Sequence, residues 1–94
     1  MPKLDYVPER DELELNFNYI ETPQIIRLTS GITLEFDDNN FGSIILPNFF
    51  QMIHRQPAPN TIFEFIKIDH DTLKIKVDEQ IVNVKLDFSE IENC

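Results

Sequence analysis

Asp71-Thr72-Leu73-Lys74-Ile75-Lys76-Val77-Asp78-Glu79-Gln80-Ile81-Val82-Asn83-Val84-Lys85-Leu86-Asp87-Phe88 is the stretch that decides the fold class. Leu73, Ile75 and Val77 are separated by Lys74 and Lys76, a period of two that gives a strand one dry face and one wet face. Val82, Val84, Leu86 and Phe88 repeat the pattern around Asn83, Lys85 and Asp87. Asp78-Glu79-Gln80 lies between the two runs and suits a tight corner, because Asp tolerates left-handed backbone and hydrogen-bonds its own main chain. So short a link joins only antiparallel neighbours. This segment is a β-hairpin.

The same alternation recurs upstream. Leu13, Leu15 and Phe17 alternate with Glu12, Glu14, Asn16 and Asn18, and Ile32, Leu34 and Phe36 alternate with Thr33 and Glu35. Ile62 to Ile68 is apolar on both faces and predicts a central, buried strand. Gln24 to Leu28 and Ser43 to Leu46 are shorter strands of the same kind. Turns fall at Pro8-Glu9-Arg10-Asp11, Asp37-Asp38-Asn39-Asn40 and Asp69-His70-Asp71, and Gly31 relieves a bend between neighbouring strands. The expected fold is mainly β (α+β): an antiparallel meander of about seven strands in near chain order. Its core is Leu13, Leu15, Phe17, Ile32, Leu34, Phe36, Phe63, Phe65, Ile75, Val84 and Leu86.

One segment, residues 48–55, breaks the alternation. Phe49, Met52 and Ile53 stand at i, i+3 and i+4, with Phe50 and His54 alongside. Asn48 is the expected N-cap, His54 and Arg55 face the C-terminal dipole, and Pro57 stops the run. A short helix here packs on the dry face of the sheet, or leaves Phe49, Phe50 and Met52 to cover a partner. The second arrangement, with exposed sheet edges, predicts a homodimer.

The chain has 94 residues, the size of one globular domain spanning 1–94. Seventeen acidic residues against eight basic ones give a net charge of −9. Phosphates and anionic lipid repel such a surface, so neither direct nucleic-acid binding nor membrane binding is expected. A basic protein is the electrostatically favoured partner, unless the charge serves only solubility. The single thiol, Cys94, rules out an intramolecular disulfide or a thiolate cluster. The N-terminus, Met1-Pro2-Lys3-Leu4-Asp5, lacks the apolar run of a secretory signal, and a cytoplasmic location is expected.

Catalytic chemistry finds no foothold. Asp69-His70-Asp71 holds the residue types of a metal or proton-transfer site, but adjacent residues on a turn diverge and no second His is near. Asp37-x-Asn39 begins like a calcium loop, yet Phe41 occupies the fifth position and Asn48 the twelfth, where a bidentate Glu is needed. Ser30, Ser43 and Ser89 carry no nucleophile motif, and two glycines make no phosphate loop. No cofactor, metal or enzymatic activity is expected.

Tyr6-x-Pro8-Glu9-x-Asp11-x-Leu13-x-Leu15, then Gly31-Ile32-x-Leu34-Glu35-Phe36-Asp37, then Gly42-Ser43-Ile44-Ile45-Leu46, resembles a prokaryotic family known as domain-of-unknown-function family 2283. The resemblance covers Tyr6 to about Ile53. Ser43 stands where that family has an apolar residue or Gly, and Thr29-Ser30 replace its usual Pro. It implies a small acidic β-rich protein, in some members antitoxin-like, and carries no catalytic residues.

The functional expectation is a non-enzymatic interaction protein, antitoxin-like or inhibitory, that covers a basic protein. The alternative is a nucleic-acid mimic that blocks a DNA- or RNA-binding protein; a small enzyme subunit ranks below both. The candidate contacts are Glu9, Asp11, Glu12 and Glu14 on one wet strand face, with Glu35, Asp37 and Asp38 beside them, together with Phe49, Phe50 and Met52.

Overall fold

The computed structural model describes residues 2–38 and 40–87. Expectations for Asn39, Phe88, Ser89 and Cys94 lie outside the described residues. Among the described residues there are eight strands: β1 (Lys3–Val7), β2 (Glu12–Asn16), β3 (Gln24–Arg27), β4 (Thr33–Phe36), β5 (Phe41–Leu46), β6 (Phe63–Asp69), β7 (Thr72–Val77) and β8 (Gln80–Lys85). A 3-10 turn at Pro8–Arg10 and a one-turn helix, α1 (Phe49–Met52), complete the elements. The protein is mainly β and antiparallel throughout, as the alternation requires. No described helix is long and apolar enough to cross a membrane.

The strands form two sheets rather than one meander. The first has the order β1-β2-β5-β4-β3 and the second β6-β7-β8. After β2, residues 17–23 carry the chain to the far edge, and β5 returns to pair with β2, which is a Greek-key arrangement. Burial explains the order. β5 places Gly42, Ser43, Ile44 and Leu46 out of solvent and matches Leu13 to Leu46 and Leu15 to Ile44. β3 leaves Ile25 63% exposed and shields only Ile26 in part, so it belongs at an edge.

β6 is an edge strand and not the central one its run of apolar residues predicts. Phe65 pairs with Ile75 and Lys67 with Lys74, so Ile66 is an extra residue in a β-bulge. The bulge shifts the alternation by one place, so Phe63, Phe65 and Ile68 lean inward while Ile66 faces out. A run that reads as apolar on both faces is one apolar face with a slipped register.

Both sheets turn their inner faces onto one core. Leu13, Leu15, Leu34, Ile44 and Leu46 meet Leu73, Ile75, Val77, Val82, Val84 and Leu86. Of the expected core, Phe17, Phe63 and Phe65 are partly buried against this cluster, and Phe36 is half-exposed. The Tyr6 ring stacks on Phe63 at 5.8 Å and meets Phe50 edge-on at 5.1 Å, fastening the first sheet to the second through α1.

The helix is shorter than residues 48–55, and its capping differs from expectation. Asn48 has φ 52 and makes no side-chain cap. Asp11, itself left-handed at φ 47, supplies the cap from the β1–β2 turn. Its carboxylate accepts from the backbone N–H of Phe50 at 3.0 Å and of Gln51 at 3.2 Å, and its carbonyl accepts from Phe49 at 2.8 Å. At the other end His54 turns left-handed at φ 58, and the N–H groups of His54 and Arg55 donate to Gln51 and Phe50. That is a Schellman closure made by the backbone.

Candidate functional site

The outer face of the first sheet carries a groove of about 510 Å³. Its floor comes from three neighbouring strands. Ser43 on β5 lies directly between Asn16 on β2 and Glu35 on β4, and Glu14 pairs with Ile45 one step along. One wall is the crossover segment of residues 17–20. Phe17 and Asn18 donate backbone hydrogen bonds to the Gly42 carbonyl at 2.8 and 3.3 Å, which holds the wall against β5. A Cβ on Gly42 would stand 2.9 Å from Ile20 Cδ1, so a side chain there would push the Ile20 side chain aside. Tyr19 forms the rim and is 91% exposed.

The electrostatics of the floor are anionic. Asp5 pairs with Glu14 across β1 and β2, and Glu12 lies on the same face. Arg10 answers them in part, with Nη2 3.1 Å from Glu12 and 3.7 Å from Glu14. Glu14 nevertheless sits above the usual carboxylate range, first because of burial and then because of Glu12, with Asp5 adding to the repulsion. Glu35 makes no ion pair or side-chain hydrogen bond within the described structure.

The expected contact residues divide into three groups. Glu9 is exposed on the β1–β2 turn, and Glu12 and Glu14 line the outer face with side chains only 18% and 28% exposed. Asp11 is engaged within the fold: besides capping α1 it accepts the Tyr6 hydroxyl at 2.7 Å. Burial, with that bond and the Asp11 charge, pushes the Tyr6 phenol up to about 12.

Phe49 and Phe50 are 0% and 1% exposed, which is the core packing expected of the stripe and not a surface open to a partner. The Asp11 cap draws them between the sheets, where Tyr6 and Phe63 close over them. The apolar cluster that predicted a homodimer is thus largely covered by the chain itself. Met52 alone of the three is open, 41% exposed beside a shallow depression shared with Ser30, Pro47 and Asn48.

Among the described residues no three of His, Cys, Asp and Glu gather to hold a metal. His70 sits at φ 58 on the β6–β7 turn, its side chain 92% exposed. No family model, curated protein or solved structure matches this chain.

The sequence reading missed the groove as a unit. Asn16, Ser43 and Glu35 are far apart in the chain, and only the unexpected return of β5 between β2 and β4 brings them side by side. The one signal available was Ser43 itself, a polar residue in the otherwise apolar run Ile44-Ile45-Leu46.

Proposed function

We propose that this protein is a non-enzymatic binding module whose acidic sheet face covers a basic protein partner, as an antitoxin or inhibitor does. The observation that carries the reading is Glu14. A half-buried carboxylate crowded by Glu12 and Asp5 loses repulsion when a cation approaches, so the face gains from positive charge beyond its net attraction. The recessed placement of Glu12 and Glu14 suits side chains entering a groove, and it favours this reading over a phosphate-like row of protruding acids. The sequence resemblance to family 2283 supports the antitoxin-like form of it.

The test is capture from native lysate at low and high salt, with wild type and with Glu12 and Glu14 both changed to Lys. A specific partner held at about 0.05 M salt is expected to be lost at about 0.5 M, because the screening length falls several-fold over that range. The variant is expected to lose it at both. A partner retained equally under all four conditions sinks the proposal.

A further inference from the structure

We infer that the groove over Ser43 is a pocket for an arginine side chain, supplied by the basic partner on whose existence this inference rests. Ser43 is 8% exposed, and its hydroxyl makes no hydrogen bond within the described structure. No fully buried side-chain polar atom there is left without a partner, so that hydroxyl opens into the groove. A recessed hydroxyl that has no partner in the fold and faces an acidic cleft is an acceptor open to a donor-bearing group from outside.

The acceptors around it fit one chemistry. Asn16 and Glu35 flank Ser43 at directly paired positions, and Glu14 stands diagonally on the Asn16 side. Neighbouring strands lie about 4.8 Å apart, so the two carboxylates stand on either side of a slot about two strand spacings wide. Guanidinium is planar and presents five N–H donors in a fixed fork, enough to reach both sides and the floor at once. An ammonium offers three donors from a point and spans less. The Tyr19 ring at the rim gives the guanidinium a face to lie against. Arg10 is 63% exposed and closer to Glu12 than to Glu14, and its ion pairs do not extend to Glu35 or Ser43.

The experiment is fluorescence anisotropy with two labelled peptides of equal length and charge, an arginine–glycine repeat and its lysine–glycine counterpart. Wild type is expected to bind the arginine peptide about fivefold or more tightly than the lysine peptide, the difference made by a forked donor set. Glu35→Gln and Ser43→Ala, each checked for folding by circular dichroism, are expected to weaken the arginine peptide and erase the preference. Glu79→Gln, on the exposed β7–β8 turn, removes the same charge as Glu35→Gln and is expected to keep the preference. Equal binding of both peptides, with Glu35→Gln no worse than Glu79→Gln, overturns the pocket but leaves an acidic binding face intact. Failure of both peptides to bind at low salt overturns the pocket and the proposed function together.

Discussion

The carboxylate of Asp11 stands 3.0 Å from the backbone N–H of Phe50, although 39 residues separate them in the chain. One left-handed aspartate in a hairpin turn therefore does three things. It ends the Pro8–Arg10 turn, caps α1 and fixes the Tyr6 hydroxyl. Through these contacts the turn that leads into β2 is tied to the start of α1 and to the Tyr6 ring.

Asp11→Ala is expected to cost about 3 kcal/mol. The lost cap contributes about 1 kcal/mol, and the stranded Tyr6 hydroxyl and the strain of a left-handed alanine account for the rest. Asp11→Asn keeps a capping oxygen and tolerates the left-handed region, so it is expected to cost about 1 kcal/mol. Urea denaturation of the two variants checks both values. Equal losses would mean that the charge, not the cap, is what matters.

Tyr6 makes a prediction at high pH. Its phenol is held at about 12, against 10.0 when unperturbed, by burial first and then by Asp11. The protonated form is the one the fold prefers. The stability it contributes is therefore complete below pH 10.0 and is lost as pH rises through about 12. Tyr6→Phe should remove this alkaline loss from the denaturation profile, and the ultraviolet titration of the wild type should show one phenol ionising only near pH 12.

Much of this was legible in the alternation. β2, β4, β7 and β8 lie where Leu13/Leu15, Leu34, Leu73/Ile75/Val77 and Val82/Val84 place them, because a one-sided strand states its own dry face. The bulge at Ile66 was not legible, since a slipped register and a two-sided strand look alike in a single chain. Nor was the Asp11 cap, whose acceptor and donors are joined by no local pattern. Asn48 was the locally reasonable cap and lost to a distant carboxylate with better geometry. The groove was hidden for a related reason, because its floor depends on strand order and strand order depends on which segment is most apolar.

Asp78 makes the opposite prediction at low pH. Its carboxylate accepts from the Ile62 backbone N–H at 3.0 Å and pairs with Arg55 at 3.0 Å, tying the end of α1 to the β7–β8 turn. Those two contacts, the Ile62 bond first, hold it below its ordinary 3.8. A depressed carboxylate contributes stability that is complete above pH 3.8 and is lost as pH falls through its lower folded value. Asp78→Asn should flatten that part of the acid-denaturation curve while leaving the slope above it unchanged. An unaltered acid limb would show that Arg55 and Ile62 find other partners.

Glu14 separates binding from folding. Its carboxyl is raised above 4.5 by burial and by Glu12 and Asp5, so the folded state prefers it protonated. At neutral pH the charge is therefore a cost, one that is relieved as pH falls through the raised value and is gone below 4.5. Glu14→Gln should make the protein more stable at pH 7, by under about 1 kcal/mol because solvent and Arg10 screen the repulsion. The gain should vanish when both proteins are unfolded at acid pH. The same substitution should weaken capture of a basic partner, since the repulsion it removes is what a bound cation would relieve. Thermal melts at the two pH values read the first effect and binding at low salt reads the second. A variant that is more stable yet binds unchanged would place the partner's charge elsewhere on the face, while one that is less stable would show that Glu14 is held by contacts the fold needs.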